Sequence, residues 1–471
     1  MTIPENIVRY LDRCGETGRR LVLTKLRSGI DQAVVIPALA EERSLFDTLD
    51  VLCANPPEEM ERTLVLCVIN NRNPGIARPE DIDQNRRTVK RLERLIAGRQ
   101  ALEDTDDKNV ALQDRTIHGA CPNLACLDAS SPGMEMPARG GVGMARKIGM
   151  DSALGMLDYG SRRRKLLFCL DADTRVEPDY LSAVRSFFET KRNSAAVVEY
   201  AHPLDGEPAL RAAICCYEIF LRYYSLGLLY ARSPYAHHSV GSTMICTADG
   251  YAAVRGMSRR EAGEDFYFLN KLAKLNAIGR ISETTVYPSA RASLRVPFGT
   301  GQRVVRFLEN RRNEYLLYHP AVFEVLERWL ALMASGGDMK PECILDGAAK
   351  IHPRLRSFLE RNRFQEAWPR IRWNHRRTND LARHFHAWFD GFRTLKLIHD
   401  LSEDAFPPMD MFQALKHLLL AMGDPFHQEI DPLNMPSPDE QIRILRHLRR
   451  LSRSPVSHVR RFCLDLFNAF G

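Results

Sequence analysis

The sequence predicts an α/β protein, with a mostly parallel β-sheet covered by helices on both faces and an all-α C-terminal domain. In the first 200 residues or so, short apolar runs alternate with segments of helical periodicity, as in parallel strands joined by crossover helices. From about Val304 onward only helical patterns remain, and all four tryptophans lie there. Because 471 residues suffice for two or three domains, we expect an α/β domain over residues 1–303 and a helical domain over 304–471.

Five apolar runs are predicted to be strands of the sheet. Each is short and bounded by polar or turn-forming residues. Strands of a parallel sheet are buried on both faces, so they are continuous apolar runs rather than alternating ones. In chain order these runs are 32–37, 63–69, 123–128, 165–170 and 195–200.

Helical segments fill intervals between these strands. Residues 41–52 and 143–157 carry apolar side chains at helical spacing. A long polar insertion, about 70–118, contains a predicted basic helix over 82–97 and an acidic stretch after it. A connection of this length is rarely plain loop, so we expect an accessory segment near the ligand-binding edge of the sheet.

Bulk composition is that of a soluble globular protein, with 45% hydrophobic and 27% charged residues. The best candidate for a membrane span, 212–230, is interrupted by Glu218 and Arg222. The first residues carry charges and no apolar signal core, so we expect no export. The eleven cysteines lack CxxC pairs, which favours free thiols in a reducing, cytoplasmic environment.

Basic residues are concentrated in the C-terminal third, although the net charge is only +7. Two interpretations stay open: solvated helix faces, or contact with anionic partners such as membrane headgroups, a phosphorylated acceptor or another subunit. Nucleic acid is not expected, because no binding motif accompanies the charge. The domain would shape the acceptor site, form a dimer interface or rest peripherally on a membrane. The arginines concerned are Arg370, Arg372, Arg376, Arg377, Arg443, Arg446, Arg449, Arg450, Arg453, Arg460 and Arg461.

Two aspartates follow the fourth predicted strand. Asp171 and Asp173 come directly after the apolar run 166–170, at a strand end where ligands usually bind in open α/β sheets. In an extended chain, residues two apart point to the same side. Two carboxylates there would suit Mg²⁺ or Mn²⁺ bound to a diphosphate. The alternative is a loop with capping aspartates before a helix that begins near Pro178.

Two other segments of the first half carry polar residues beside predicted strands or helices. The first strand ends at Pro37 and is followed by Glu41 and Glu42, in VVIPALAEE. The glycine-rich segment GGVGMARKIG places Arg146 and Lys147 near a helix start. Glycine permits close backbone approach, and positive charge beside a helix start suits phosphate.

A third segment, GEDFYFL, has the adjacent carboxylates of Glu264 and Asp265 before an apolar aromatic run. Adjacent carboxylates in a pocket repel each other, which raises one pKa and favours a base near neutral pH. An acidic pair at a helix N-terminus, favoured by the helix dipole, is the structural alternative.

Taken together and in this order, these segments resemble the family 2 glycosyltransferases of the GT-A fold. The opening strand is VVIPALAEE, a DxD-type motif lies in LDADTRVEPDYL, and GSTMICTADGYAAVRGM leads into the ED motif of GEDFYFL. The similarity extends over about residues 32–301. It implies a GT-A-type, Rossmann-like sheet in residues 1–303.

The resemblance implies a metal-dependent, inverting transferase that moves a hexose from a nucleoside-diphosphate donor to a free acceptor hydroxyl. Asp171 and Asp173 would hold Mg²⁺ or Mn²⁺ and the donor diphosphate. Asp265 would be the general base that deprotonates the acceptor hydroxyl, with Glu264 positioned beside it. The acceptor, whether a sugar, a lipid-linked molecule or a small molecule, stays open, as does the oligomeric state. Further donor contacts would come from Pro37, Glu42, Arg146 and Lys147.

Two departures from the family pattern limit what the resemblance implies. Where many members carry aspartates that recognise the base or ribose, the second strand here ends in Asn70 and Asn71, so the donor base is not assigned. Gln302 and Arg306, followed by Phe307, do not match the QxxRW motif of processive synthases. A processive synthase is therefore not expected. The missing aspartates alone support the alternative, a catalytically inactive nucleotide-sugar-binding or scaffolding protein. A nucleotidyltransferase ranks lower, because no glycine-rich basic loop follows the first strand.

Two features stay open. The loop 297–301 is either a lid over the diphosphate or an ordinary turn. His237 or His238 is a candidate third metal ligand, although a lone histidine is more often structural. The candidate phosphate partners beside the loop are Arg291, Arg295 and Arg303.

Overall fold

The computed structural model describes residues 3–72, 75–98, 107–138, 140–261, 263–292, 299–374 and 378–453. The chain divides into two compact units. The first comprises Met1–Pro203 and Ser239–Gln302, and the second comprises Leu204–His238 and the described residues from Arg303 onward. The segment Leu204–His238, which the sequence placed in the α/β domain, groups with the second unit because buried residues of its long helix belong to the core of the C-terminal helices.

Among the described residues, nine strands form the sheet of the first unit, and two short strands form a separate pair in the second. The nine strands are β1 (Arg20–Leu23), β2 (Gln32–Ala38), β3 (Thr63–Asn70), β4 (Leu124–Ala129), β5 (Leu166–Cys169), β6 (Thr174–Val176), β7 (Ala195–Tyr200), β8 (Met244–Thr247) and β9 (Gly279–Pro288). The pair is β10 (Leu316–Leu317) and β11 (Met409–Asp410). The order across the large sheet is β1-β4-β3-β2-β5-β8-β7-β9-β6.

Most strands of this sheet run in one direction, as the sequence predicts. Strands β4, β3, β2 and β5 are parallel neighbours, and β7 pairs in parallel with β9. Strand β8 lies antiparallel between β5 and β7, while β1 and β6 are antiparallel edge strands. All five predicted strands are present as β2, β3, β4, β5 and β7, within one residue at most ends. Strands β1, β6 and β9 are not among the predicted runs. The two edge strands are short and partly exposed, and β9 mixes polar with apolar residues instead of forming a continuous apolar run.

Helices connect and follow these strands along the whole described chain. In the first unit they are α1 (Glu5–Cys14), α2 (Glu42–Leu52), α3 (Pro57–Met60), α4 (Pro79–Ala97), α5 (Lys108–Ala120), α6 (Val142–Leu154), α7 (Tyr180–Thr190), α9 (Ala248–Ala253) and α10 (Glu264–Leu272). Helix α8 (Pro208–Tyr230) belongs to the second unit, and α11 (Thr300–Leu308) begins in the last residues of the first unit and continues in the second. The C-terminal helices are α12 (Ala321–Ser335), α13 (Pro341–Ile351), α14 (Pro353–Arg361), α15 (Phe364–Asn374), α16 (Thr378–Trp388), α17 (Gly391–Asp404), α18 (Met411–Ala421) and α19 (Pro438–Arg453).

Both faces of the sheet are buried, which explains the continuous apolar strands. Val35 of β2 lies in one core cluster with Ile148 of α6. Val34, which points to the opposite face, is also fully buried. Helix α6 lies very close to the sheet, since a Cβ on Gly149 would lie 2.4 Å from Cγ1 of Val35. The sequence therefore specifies a sheet buried on both faces, with α6 packed under its central strands.

The insertion is largely helical where it is described. The predicted basic helix is α4, which begins at Pro79 rather than Ile82 because proline suits the first helical turn. The side chain of Asn85 on α4 donates to the carbonyl of Asn70, 3.0 Å away, at the end of β3. It also accepts from the amide of Ala40, 2.8 Å away, after β2. The insertion thus braces the carboxyl ends of two central strands.

In the described part of the second unit, one helix meets the length and composition of a membrane span. Helix α8 has 23 residues, and 61% of its apolar window is buried inside the protein. The sequence predicts no such candidate, because Glu218 and Arg222 interrupt the segment. The structure shows Glu218 fully buried, where it accepts from Arg222 at 2.8 Å and from Arg449 of α19 at 2.7 Å. The buried charge is therefore accommodated by ion pairs within the helical core.

Several C-terminal arginines take part in contacts within the second unit. Arg449 pairs with Glu218, Arg443 pairs with Glu429 at 3.1 Å, and Arg372 donates to the carbonyl of Met339. Contact of the remaining exposed arginines with an anionic partner stays a prediction. Four of the predicted residues lie outside the described part of the chain: Arg376, Arg377, Arg460 and Arg461.

Candidate active site

Several of the predicted site residues lie at the carboxyl ends of the parallel strands. Asp171 follows β5, and Glu41 follows β2, which is the parallel neighbour of β5. Pro37 is buried within β2 itself, one residue before its end. In open α/β sheets this edge is where ligands bind. The position of the two aspartates in the fold is therefore the one that the sequence predicts.

The chain does not stay extended through the two aspartates. The amide of Thr174 donates to the carbonyl of Asp171 at 3.1 Å, which closes a turn. The hydroxyl of Thr48 holds the carbonyl of Ala172 inside this turn at 2.9 Å. The premise of strand-like geometry was therefore wrong. Asp171 and Asp173 are two residues apart in a turn, and each contacts a different arginine.

Arg146 of α6 joins the first aspartate to the ED segment. One amino group of its guanidinium donates to Oδ1 of Asp171, and the other donates to Oε1 of Glu264. Arg146 and Glu264 are almost completely buried, whereas the side chain of Asp171 is 32% exposed. Burial opposes the charge of Arg146, but the two carboxylates outweigh it and raise its pKa. Arg146 therefore stays charged and holds two parts of the predicted site together.

Arg291 makes the matching connection for the second aspartate. After β9, its guanidinium contacts Oδ2 of Asp173 at 2.9 Å and donates to Oε1 of Glu41. Although burial opposes the charge, Asp173 and Glu41 raise the pKa of Arg291. Of the three candidate phosphate partners, this one lies at the aspartates. Arg303 instead pairs with Glu314 inside the second unit, and Arg295 lies outside the described residues.

These six side chains form what we call the arginine–carboxylate network. Its members are Arg146, Asp171, Glu264, Arg291, Asp173 and Glu41. Four carboxylates face two guanidinium groups, so the ionised network carries two negative charges. A divalent cation would neutralise it.

Glycines allow the elements that carry the network to approach each other. A Cβ on Gly143 would lie 2.5 Å from the carbonyl oxygen of Ser258 and 2.8 Å from Cβ of Glu264. A Cβ on Gly241 would lie 2.4 Å from Nη2 of Arg146. Such separations are shorter than van der Waals contact allows. The glycine-rich segment thus serves close packing against the ED segment, a role that its resemblance to a phosphate-binding turn does not reveal.

Two predicted donor contacts are engaged elsewhere. The ammonium of Lys147 pairs with Asp151 at 2.8 Å and donates to the hydroxyl of Tyr10 at 2.7 Å, in a buried group. Glu42 accepts from Arg87 of α4 at 3.2 Å. The structure brings neither residue into the arginine–carboxylate network. The neighbouring Glu41 takes that place, because it precedes the first turn of α2 and points back to the strand ends.

Asp265 follows Glu264 at the start of α10 and is half-buried. Burial is the main cause that raises the pKa of Asp265 to about 7, and the charge of Glu264 acts in the same direction. Arg146 and the backbone amide of Phe266 oppose this rise. Burial also raises the pKa of Glu264, against the effect of Arg146. The described residues give Asp265 no ion-pair partner, so it is the member of the ED pair suited to accept a proton near neutral pH.

Asn70 and Asn71, at the carboxyl end of β3, are buried within the protein. The side chain of Asn71 donates to the carbonyl of Ser130 at 3.2 Å and accepts from Asn85 at 2.5 Å. Asn71 is 1% exposed and Asn70 is 4% exposed. Asn71 therefore links strand ends to the insertion, and the donor base stays unassigned.

The two aspartates provide oxygen donors that fit a hard divalent cation, but they are not a complete cage. The described residues contain no group of three or more His, Cys, Asp or Glu side chains arranged to hold a metal ion. Mg²⁺ is often held by one or two carboxylates together with phosphate oxygens and water. Asp171 and Asp173 are 32% and 26% exposed, so their oxygens can be reached. His237 and His238 belong to the second unit.

No protein-family model matches the chain, and no curated protein matches it. Solved structures with similarity include residues 1–349 of S. aureus TarS in complex with UDP-GlcNAc, at 12% identity and a TM-score of 0.36, covering 75% of this chain and 89% of that one. Another is the mannosyltransferase PcManGT from Pyrobaculum calidifontis in complex with GDP-Man and Mn²⁺, at 12% identity and a TM-score of 0.33, covering 81% and 92%. The function of this chain therefore has to be argued from its own residues.

Proposed function

We propose that this chain is a glycosyltransferase that moves a sugar from a nucleoside-diphosphate donor to an acceptor hydroxyl, with inversion. The observation that carries the proposal is the connection made by Arg146. It joins an aspartate of the DxD-type turn, suited to a metal-bound diphosphate, to the ED segment, which contains a candidate base. The resemblance of the sequence motifs to family 2 glycosyltransferases supports the same assignment.

Asp171 and Asp173 would hold a divalent cation, Mg²⁺ or Mn²⁺, together with the diphosphate. When bound, such a cation offsets the charge that develops on the departing nucleoside diphosphate. The position of both aspartates at the carboxyl ends of parallel strands agrees with this role. Arg146 and Arg291 lie directly beside them and supply further positive charge, with guanidinium geometry that suits phosphate oxygens.

Asp265 would act as the general base toward the acceptor hydroxyl. Its pKa of about 7 means that it is ionised in a large fraction of molecules at neutral pH and still has appreciable affinity for a proton. Glu264 would keep a different role, since its carboxylate is bound to Arg146. Its negative charge beside Asp265 helps to raise the pKa of the base.

A panel of nucleotide sugars tests the proposal. With Mn²⁺ present, one donor should raise the melting temperature, because a ligand that binds the folded state stabilises it. The same donor should release its nucleoside diphosphate during incubation with acceptor candidates or water. Binding without any release would favour a nucleotide-sugar-binding scaffold, and absence of binding by every donor would contradict the proposal.

A further inference from the structure

Arginines engage both carboxylates that are proposed to hold a cation. Arg146 donates to Asp171, and Arg291 contacts Asp173 at 2.9 Å. Each contact occupies one carboxylate oxygen, Oδ1 of Asp171 or Oδ2 of Asp173, and the charge of the guanidinium repels a divalent cation at the same carboxylate. Although the network as a whole is negatively charged, the two arginine contacts therefore weaken the binding of a cation by itself.

Each of these arginines has a second carboxylate that lies outside the aspartate pair. Arg146 is held by Glu264, and Arg291 is held by Glu41. If either guanidinium released its aspartate, it would keep one charged partner and stay beside the site. Glu264 and Glu41 are thus suited to anchor the two arginines during a change of partner.

Each arginine also has one N–H group that donates no hydrogen bond to a described residue. The Nε atoms of Arg146 and Arg291 are buried, and neither has a hydrogen-bond partner among the described residues. A buried donor without an acceptor is unfavourable. An acceptor that enters the site could accept hydrogen bonds from these two Nε atoms. Phosphate oxygens are strong acceptors that pair well with arginine.

We propose that Arg146 and Arg291 exchange partners when the donor binds. In the free protein they hold Asp171 and Asp173. With the donor present, the two arginines turn to the diphosphate oxygens while the aspartates bind the cation, and Glu264 and Glu41 keep the guanidinium groups in place. The cation and the diphosphate then bind cooperatively, each weakly without the other. This inference depends on the proposed function, since it requires a cation and a diphosphate at this site.

Binding of Mn²⁺ and of pyrophosphate tests the exchange without knowledge of the sugar or the base. Isothermal titration calorimetry would measure the affinity of Mn²⁺ alone and of Mn²⁺ with pyrophosphate. In Arg291→Gln, we expect Mn²⁺ alone to bind at least fivefold more tightly, because the guanidinium no longer competes with Mn²⁺ for Asp173. Binding of the Mn²⁺–pyrophosphate pair should be at least fivefold weaker, because the phosphate oxygens lose a donor.

Arg185 provides a matched control. It also bridges two carboxylates, those of Glu59 and Asp31, at 2.7 Å and 3.1 Å. It lies at the opposite end of β2, and a seven-residue strand is roughly 20 Å long. Arg185→Gln should therefore leave both affinities unchanged. Arg146→Gln should repeat the result of Arg291→Gln, and a circular dichroism spectrum of each variant would verify that it folds.

The outcomes separate the exchange from the proposed function. Opposite shifts of the two affinities in Arg291→Gln, without shifts in Arg185→Gln, support the exchange. If Mn²⁺ with pyrophosphate binds the wild-type protein but Arg291→Gln leaves both affinities unchanged or weakens both, the exchange is overturned and the donor site stands. If the wild-type protein does not bind the Mn²⁺–pyrophosphate pair, the donor site and the exchange are both overturned.

Discussion

Gly143 on α6 lies against Glu264, so close that a Cβ at position 143 would be 2.8 Å from the Cβ of Glu264. The same added atom would lie 2.5 Å from the carbonyl oxygen of Ser258. The start of α6 and the ED segment can therefore keep their positions only with glycine at 143. Because Arg146 is one turn further along α6, this contact also sets where its guanidinium meets Glu264.

Gly143→Ala should displace the ED segment and reduce turnover. The added methyl group forces the backbone near Ser258 or α6 to move, with an overpacking cost of about 1–3 kcal/mol. A shift of the candidate base by an ångström would lower the rate by roughly 100-fold. Release of nucleoside diphosphate from the donor, measured at a temperature where the variant is folded, checks this expectation.

Gly149→Ala is the matched control for crowding on the same helix. Its Cβ would lie 2.4 Å from Val35 and 2.7 Å from Val68, under the sheet. We expect a comparable loss of stability, measured by urea unfolding, with a smaller loss of turnover. Equal turnover of Gly143→Ala and the wild-type protein would show that the contact with Glu264 does not position the site.

The rate of transfer should fall as the pH drops below about 7. Asp265 must be ionised to accept a proton, and burial together with Glu264 raises its pKa to about 7. In Glu264→Gln a neighbouring negative charge is removed, so the acid limb of kcat/KM should move to lower pH. A pH–rate profile of both proteins measures the shift, and an unchanged acid limb would exclude Asp265 as the titrating group.

The free energy of unfolding should also depend on the titration of Asp265, and it can be measured without any substrate. The folded-state pKa of Asp265 is raised above that of an unfolded chain, so its protonated form stabilises the fold at low pH. This contribution is lost as the pH rises from about 4 through 7. Asp265→Asn does not titrate. A rise of the pKa from 3.8 to about 7 corresponds to about 4 kcal/mol. Relative to the wild-type protein, the variant should therefore gain on the order of 4 kcal/mol between pH 4 and pH 8.

Urea unfolding of Asp265→Asn and the wild-type protein at several pH values provides that comparison. Asp249→Asn offers a control on the surface of the same unit, where Asp249 accepts a hydrogen bond from Asn6 at an exposed site. The comparison with Asp249→Asn separates a change specific to Asp265 from the general effect of replacing an aspartate with asparagine. A pH-independent difference for Asp265→Asn would contradict the raised pKa.

In the second unit, Glu218→Gln should be strongly destabilising. The fully buried carboxylate accepts from Arg222 and Arg449, and breaking a buried ion pair from one side costs about 3–5 kcal/mol. Asp346→Asn breaks the exposed pair with Arg356, formed at 2.9 Å, and should cost less than about 1 kcal/mol. Chemical unfolding of both variants tests the contrast, and similar losses would mean that Glu218 is accessible to water.

The central strands could be predicted from the sequence because burial on both faces of the sheet requires continuous apolar runs. The ends of these runs also indicate the edge of the sheet at which the candidate site lies. The run 166–170 and the two aspartates after it give a strand and its end directly. The turn at Asp171 to Thr174 was not predicted, since it depends on a hydrogen bond between backbone groups and on support from Thr48. The position of the two aspartates at the end of β5 could therefore be predicted, but the geometry of their turn could not.

Partners that are distant in sequence could not be identified from local patterns. Glu41 and Arg291 are 250 residues apart, and nothing in either segment specifies that they meet. A choice between Glu41 and Glu42 requires the first residue of α2, and helix ends are uncertain by one or two residues in sequence patterns. Lys147 was grouped with Arg146 by adjacency, but consecutive residues of a helix point in different directions.

The most direct test of the central claim compares Asp265→Asn with the wild-type protein in the presence of Mn²⁺ and the nucleotide sugar that stabilises the fold. Two quantities are measured: the affinity for that donor and the rate at which nucleoside diphosphate is released. If Asp265 is the general base, the variant should bind the donor within about threefold of the wild-type affinity and lose at least 100-fold in rate, in the range of general-base catalysis. Retention of the wild-type rate by Asp265→Asn would contradict this role.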